Sequence, residues 1–345
     1  MPSSPREIII AADFGGTKGD LLLVDAESGA FIRRIQESSQ SIPQELLPHT
    51  PLSRGFGRTV QMGNYCLEKA LESLSPAKVY LISAGLRYDK ELFDAHGVQE
   101  LIPVVTTEVD GIMAAEQCTT GICCILGTGA TMMIYQENKP SFLIDARGPI
   151  CGDWGSGFNI GFTFVRSVLR KQNFTHEELW ETSRIQAYLE EQMEKGGFPF
   201  ERREGAPASL QIVLIFLERY DRTFVASLAK LCDECAKGGS AIAQQVLRNA
   251  AQDVAQEIAE GAAFTAIDQL PRVPVILSGS ILLQSDLFHE TFCRKLSALL
   301  PNAAIRDSSY PQTYGHILRM MTQLHGGENA VPLIERFRRE VAPFL

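Results

Sequence analysis

The chain has 345 residues, an apolar fraction of 45% and a formal net charge of −9. One hydrophobic core stops growing beyond roughly 250–300 residues, so this length predicts two domains. The negative charge argues against a nucleic-acid partner, because affinity for phosphate backbones comes mainly from clustered Lys and Arg. The nearest candidate for a membrane span, residues 210–217, is far too short to cross a membrane, and residues 1–7 carry no apolar secretion signal. We therefore expect a cytoplasmic protein whose eight cysteines are reduced.

The first third of the chain alternates between strand and helix patterns. Continuous apolar runs predict strands that are buried on both faces, and apolar spacing of three and four residues predicts helices. In chain order these are strands at 8–12, 21–24, 79–82 and 104–106, with helices at 63–74 and 111–117. Such alternation predicts an α/β fold.

The pattern restarts near Cys118. An apolar strand at 122–126 runs into a Gly-Thr-Gly turn and returns as a strand at 132–135, which repeats the order seen at the N-terminus. The rest is mostly helical, with a long amphipathic stretch at 240–270, a last strand at 273–277 and a closing helix at 328–341. We interpret the repeat as a weak internal duplication, since the residues match only at the turns. The predicted domains are 1–117 and 118–322, followed by a C-terminal helix at 323–345.

Two glycine turns are candidate phosphate sites. Asp13-Phe14-Gly15-Gly16-Thr17-Lys18 follows the first strand, and Gly127-Thr128-Gly129 follows the strand at 122–126. Glycines let a turn bring backbone N–H groups against phosphate oxygens, and Asp13 is placed to hold Mg²⁺ through water. The alternative is a pair of ordinary hairpin turns. No Walker A sequence is present, so a P-loop fold is not supported.

Two carboxylates compete for the role of general base. Glu108 and Asp110 follow the strand at 104–106, where a base for a hydroxyl nucleophile would face a cleft between the domains. The alternative for Asp110 is that it caps the helix starting near Gly111. On spacing alone, base and cap are equally supported for Asp110.

A dense glycine cluster at 148–158 precedes an apolar helix and contains Asp153 and Trp154. Glycines and an Asp at a helix start predict a ligand-binding turn, although an N-capped helix start explains the same residues.

Cys232 and Cys235 form a CxxC within a helical pattern, where two cysteines are more often packing residues than a metal or redox site. The six histidines show no ligand spacing, which argues against a catalytic zinc.

The order of these motifs, from about Ile8 to about Met321, resembles the N-acetylglucosamine kinase-like family, which includes the activator ATPases of 2-hydroxyacyl-CoA dehydratases. The Gly-Asp-x-Gly-Ser-Gly element at 152–157 is the most specific part. The resemblance implies an α/β, two-domain actin-like ATPase (ribonuclease H-like) fold with an interdomain cleft. It also implies an ATP-dependent kinase that uses Mg²⁺ and phosphorylates a hydroxyl of a sugar or amino sugar.

The resemblance also implies roles for individual residues. The nucleotide-side residues are Asp13, Gly15, Gly16, Thr17, Lys18, Gly127, Thr128, Gly129, Gly239, Gly279 and Ser280, with Asp13 as the metal residue. The substrate-side residues are Arg147, Gly148, Asp153 and Ser156. For the base, direct spacing to Gly127 selects Glu108, whereas the Ala114-Ala115 pair selects Asp110; Asp110 is narrowly preferred because the family uses Asp.

The sequence departs from the family on the sugar side. The family's Gly-Trp-Gly reads Ala146-Arg147-Gly148, its Glu after the Asp is Trp154, and its sugar-anchoring Asn, expected near 40–42, is absent. These changes leave the phosphate turns intact and point to a different, anionic sugar. The alternatives are an activator-type ATPase and a non-catalytic sugar- or nucleotide-binding regulator. The expected partner is a small-molecule sugar, with neither nucleic acid nor membrane, and a homodimer is left open.

Overall fold

The computed structural model describes residues 6–15, 18–38, 54–85, 88–136, 141–196 and 200–345. It divides into two compact units. The first unit comprises Met1–Thr119 and Ser308–Leu345, and the second comprises Thr120–Asp307. No helix of the described residues is long and apolar enough to cross a membrane.

The strands and helices alternate along much of the chain. The strands are β1 (Glu7–Phe14), β2 (Lys18–Asp25), β3 (Phe31–Ser38), β4 (Lys78–Ser83), β5 (Glu100–Val105), β6 (Thr120–Leu126), β7 (Ala130–Gln136), β8 (Phe142–Asp145), β9 (Val273–Ser278) and β10 (Ala303–Asp307). The helices are α1 (Arg54–Leu71), α2 (Lys90–Ala95), α3 (Glu108–Ala115), α4 (Gly148–Cys151), α5 (Gly157–Gln172), α6 (Trp180–Lys195), α7 (Ala208–Glu218), α8 (Arg222–Lys237), α9 (Ala241–Phe264), α10 (Ser280–Gln284), α11 (Asp286–Leu299), α12 (Gln312–His325) and α13 (Gly327–Val341).

The sheet of the first unit has five strands in the order β3-β2-β1-β4-β5. β1, β2 and β3 form an antiparallel meander, whereas β4 runs parallel to β1 and β5 parallel to β4. The apolar run Ile8, Ile9 and Ile10 is fully buried. Its side chains alternate between two core clusters, one on each face of the sheet, which is why the run is continuous rather than alternating.

The sheet of the second unit repeats the same topology. Its strand order is β8-β7-β6-β9-β10, counted from the edge at β8. This matches the first sheet strand by strand, and β6 takes the place of β1. β6, β7 and β8 form the meander, and β9 and β10 add parallel strands. The internal duplication that the two glycine turns indicate is therefore a duplication of the fold.

The C-terminal segment belongs to the first unit. α12 packs on α3, β1 and β2, and Ile317 and Met321 are buried in the same cluster as Ile9. At the α12–α3 crossing, a Cβ atom on Gly315 would lie 1.8 Å from the Gly111 carbonyl oxygen, so this close contact requires glycine. The division at Asp307 differs from the sequence-based boundary at residue 322, because the apolar face of α12 covers the first sheet.

Candidate functional site

The first glycine turn joins β1 to β2. Asp13 lies near the end of β1 opposite Asp20 in β2, and the Gly15 amide donates to the Lys18 carbonyl oxygen at 2.9 Å. The Lys18 side chain is exposed beside the turn. Gly16 and Thr17, the central residues of the predicted phosphate turn, lie outside the described residues, as does the 40–42 segment.

The carboxylates of Asp13 and Asp20 differ in the groups that stabilise their negative charge. Asp20 is buried and forms a bidentate pair with Arg34, with N–O distances of 2.8 and 2.9 Å. Burial raises the pKa of Asp13, against the lowering effects of the Gln312 side chain and Lys18. A cation beside Asp13 would therefore stabilise its charged form.

The second glycine turn is tied to the start of α5. The Gly127 amide donates to the Gly129 carbonyl, while the carbonyls of Gly127 and Thr128 accept from the amides of Gly157 and Phe158 at 2.7 and 3.3 Å. Ser156 caps the helix, and its Oγ accepts from the Asn159 amide at 3.2 Å. Ser156 is fully buried, so the structure places this candidate substrate residue as a helix cap.

Asp153 lies beside the second turn and pairs with a residue that the sequence reasoning did not identify. Its side chain is only 2% exposed and forms an ion pair with Arg222 at the start of α8. Its Oδ1 also accepts from the Gly148 amide at 3.2 Å. Burial raises the pKa of Asp153, while Arg222 and backbone amides lower it in part. Asp153 adopts a left-handed backbone with φ of 59°, which fixes its carboxylate in this position.

The preceding loop is organised by Asp145, a second buried carboxylate that the sequence reasoning missed. It accepts from the amides of Arg147 and Trp154 at 3.2 and 2.9 Å. A Cβ atom on Gly152 would lie 2.2 Å from Asp145 Oδ1, so a residue with a side chain would clash with this carboxylate. Arg147 is exposed, and Gly148 has a φ of 79° that favours glycine. In the sequence, Asp145 ends an apolar stretch and is followed by Ala-Arg-Gly, a pattern from which a carboxylate-stabilised turn could have been predicted.

Trp154 is 44% exposed. It lines a groove of about 730 Å³ between α5 and α9, together with Asn159 and Asp253.

The backbone structure explains why glycine occupies two of the predicted nucleotide-side positions. Gly239 has a φ of 93° and completes a Schellman motif at the end of α8, where the Ser240 amide donates to the Cys235 carbonyl. Gly279 has a φ of 94° between β9 and α10, and a Cβ there would lie 2.3 Å from the Leu126 carbonyl oxygen. Gly279 thus holds α10 against the end of β6, the strand that leads into Gly127. Ser280, the first residue of α10, is exposed.

Asp110 is fully engaged as a helix cap. It forms a capping box with Thr107, and its Oδ2 accepts from the Thr107 amide and hydroxyl at 3.0 and 2.7 Å. Its Oδ1 pairs with Arg319 of α12. Burial raises the pKa of Asp110, but the bonds from Thr107 and Arg319 outweigh it and leave the pKa below its ordinary value. Glu108, the first residue of α3, is half-buried.

The CxxC cysteines lie in the core. Cys232 and Cys235 are 0% and 1% exposed on α8 and belong to the main apolar cluster of the second unit. Burial raises the pKa of both thiols. Among the described residues, no group of three or more His, Cys, Asp or Glu side chains is arranged to hold a metal ion.

Comparison with known proteins gives near full-length matches. N-acetyl-D-glucosamine kinase from Dictyostelium discoideum is 22% identical over 333 residues, covering 91% of this chain and 97% of that protein. Crystal structures of candidate N-acetylglucosamine kinases from Porphyromonas gingivalis and Chromobacterium violaceum superpose with TM-scores of 0.56 and 0.55, each at 18% identity. They cover 92% and 91% of this chain and 99% and 98% of theirs. No protein-family model matches.

The duplicated sheet order and the likeness to these two solved structures identify the fold as the two-domain actin-like α/β fold that the sequence predicts. The similarity to N-acetylglucosamine kinase-like proteins that the motifs predict is confirmed.

Proposed function

We propose that this protein is an ATP-dependent sugar kinase, which transfers the γ-phosphoryl group to a hydroxyl of N-acetylglucosamine or a related sugar. The observation that carries the proposal is the repeated hairpin: in each sheet, the first two strands are joined by a glycine turn at the same topological position. A relative named N-acetyl-D-glucosamine kinase matches over 91% of the chain, which supports the reaction class.

The two turns are the proposed phosphate-binding elements. Gly15, Gly16, Thr17 and Lys18 would serve the first unit, and Gly127, Thr128 and Gly129 the second. A Cβ atom on Gly127 would meet no atom of the described residues within 4 Å, which supports room for a ligand oxygen beside that backbone. Gly239, Gly279 and Ser280 remain the proposed adenosine-side residues of the second unit.

Asp13 fits the role of Mg²⁺ residue. Mg²⁺ in kinases is commonly held by one or two carboxylates, water and substrate phosphates, so it needs no cage of protein ligands. Asp13 is a carboxylate at a strand end whose pKa is raised by burial and by the charge of Asp20, which is itself paired with Arg34. When bound, Mg²⁺ would neutralise charge on the phosphate oxygens.

For the general base, the contacts of Asp110 favour Glu108. Asp110 holds the start of α3 through Thr107 and is paired with Arg319; the ion pair requires its charged form, and the hydrogen bonds from Thr107 favour it. A carboxylate with a lowered pKa is a weak proton acceptor. Glu108 lies at the first position of the same helix. We therefore assign the proton-accepting role to Glu108 and the capping role to Asp110, which reverses the narrow preference from the sequence.

On the sugar side, the proposed residues are Arg147, Gly148 and Asp153, held in one loop by hydrogen bonds to Asp145 and Asp153. Arg147 is the exposed cation of this loop and would favour an anionic sugar. Ser156 contributes by capping α5 rather than by contact with the sugar.

The experiment is a coupled ADP-release assay with Mg-ATP and a panel of neutral, N-acetylated and acidic sugars. Turnover with at least one sugar is expected. Glu108→Gln should then lower kcat by about 10²–10⁴-fold, the usual contribution of a general base. Asp110→Asn should lower stability by about 0.5–2 kcal/mol through the weakened cap, with a much smaller change in kcat.

The two variants decide the assignment. If folded Asp110→Asn loses turnover while Glu108→Gln stays near normal, Asp110 is the base. If no sugar supports turnover although sugar binding saturates, the protein is a regulator and the kinase proposal is wrong.

A further inference from the structure

The second unit places an arginine side chain directly against the predicted phosphate turn. Arg222 is the first residue of α8, and the helix start is fixed by Asp221, whose Oδ1 accepts from the Phe224 amide at 2.7 Å. Arg219 adds an ion pair to Asp221 at 3.0 Å. Asp221, the residue before Arg222, is therefore fixed by contacts with both Phe224 and Arg219.

The guanidinium occupies the space beside Gly129. A Cβ atom on Gly129 would lie 1.8 Å from Arg222 Nη2 and 3.0 Å from Asp153 Oδ2. A side chain at position 129 would therefore have to displace the guanidinium of Arg222 from its place beside the turn.

The ion pair leaves the guanidinium partly available. The Asp153 side chain is 2% exposed, whereas the Arg222 side chain is 45% exposed. A guanidinium has five N–H donors in a rigid fork, and one carboxylate engages at most two of them in a bidentate pair. The remaining edge can bind a second anion.

The start of α5 does not supply the positive charge at this place. The amides of Gly157, Phe158, Asn159 and Ile160, its first four residues, donate to Gly127, Thr128 and Ser156. A helix start whose amides are all satisfied offers no donors to a phosphate. The cation at the turn is therefore the Arg222 side chain.

We propose that Arg222 binds the terminal phosphate of the nucleotide at the Gly127-Thr128-Gly129 turn, and that Asp153 positions its guanidinium. This inference rests on the proposed kinase function. It adds to Asp153, a proposed sugar-side residue, a positioning role toward Arg222. Burial of Asp153 without Arg222 would leave an uncompensated carboxylate, so the two residues form one functional pair.

The test measures affinity for ATP and for adenosine by calorimetry in the presence of Mg²⁺. Arg222→Met alone would leave Asp153 unpaired and destabilise the fold, so the decisive protein is the double variant Arg222→Met with Asp153→Asn. Its ATP affinity should fall about 10- to 150-fold, the equivalent of losing a charged hydrogen bond, while adenosine affinity stays unchanged. Arg222→Lys keeps the charge without the fork and should lie in between.

Arg202→Met is the matched control, because Arg202 also pairs with a carboxylate in the second unit, Glu190, but on an exposed surface. It should bind ATP as the wild type does. Equal losses of ATP and adenosine affinity in the folded double variant would indicate a purely structural role and overturn the inference. Unchanged ATP affinity would overturn the inference alone, whereas a wild-type protein that binds no ATP would overturn the proposed function as well.

Discussion

His316 gives the fold a predicted sensitivity to mild acid. The side chain is 2% exposed on α12, and within the described residues neither ring nitrogen has a hydrogen-bond partner. Its ring lies against α3, since a Cβ on Gly111 would be 2.8 Å from Nε2. Burial lowers the pKa of His316 from 6.5 to about 4, with Asp110 opposing and Arg319 adding to the shift. The folded protein therefore holds this imidazole neutral.

The unfolded chain binds more protons than the folded protein between pH 4 and 6.5, because the pKa of His316 is lower in the folded state. Stability must then fall as the pH falls through this window. For one group with these two pKa values, the loss between pH 7 and pH 5 is about 2 kcal/mol. This is a large share of the roughly 5–15 kcal/mol that stabilises a typical protein.

The perturbation is His316→Leu, measured by urea unfolding at pH 7, 6 and 5. Leu has a similar size, cannot titrate and leaves no unpartnered polar atom, so stability at pH 7 should be unchanged or higher by up to about 1 kcal/mol. The difference between variant and wild type should grow by about 2 kcal/mol between pH 7 and pH 5. His176→Leu replaces an exposed histidine and serves as the control, with no such growth. A constant difference for His316→Leu across the three pH values would refute the reasoning.

Two further predictions concern the first unit. Arg34→Leu leaves the buried Asp20 carboxylate without its bidentate partner. Urea unfolding should show that the free energy of unfolding falls by about 3–5 kcal/mol. A fall of less than about 1 kcal/mol would contradict the buried pairing. Gly315→Ala places a methyl group 1.8 Å from a backbone oxygen of α3 and should lower the melting temperature by several degrees. Gly327→Ala, at the start of α13, places a methyl group within 4 Å of no described residue and should change the melting temperature little. Equal melting temperatures for the two glycine variants would show that the α3–α12 contact is not close.

Central strands were predictable from the sequence, whereas three of the four edge strands of the two described sheets were not. The runs at 8–12, 21–24, 79–82, 122–126 and 273–277 all lie within strands, because residues buried on both faces must be apolar. β3, β8 and β10 gave no such signal. β3 reads Phe-Ile-Arg-Arg-Ile-Gln-Glu-Ser with no fully buried residue, and it lies at the edge of its sheet. Edge strands carry polar residues, so their pattern is weak.

The contacts of the candidate site depend on residues far apart in the chain. The T-x-x-D pattern at 107–110 is a visible capping signal, and the structure shows that Asp110 follows it. The pairing of Asp153 with Arg222, 69 residues later, has no local signature. The same holds for Arg319, which reaches Asp110 only because α12 returns to the first unit. Local patterns thus indicate where a turn or cap lies, whereas partners that meet through tertiary packing need the fold.

The two glycine turns show how a duplicated element can acquire different chemistry. Each turn has an adjacent carboxylate and a nearby cation: Asp13 with Lys18 in the first unit, and Asp153 with Arg222 in the second. Burial raises the pKa of both carboxylates, but Asp153 forms a direct ion pair with its cation. A metal ion beside Asp13 would stabilise its charged form, whereas the ion pair of Asp153 fixes the direction of the Arg222 guanidinium. Under the proposed function, the first hairpin would hold Mg²⁺ at Asp13 and the second would bind phosphate through Arg222.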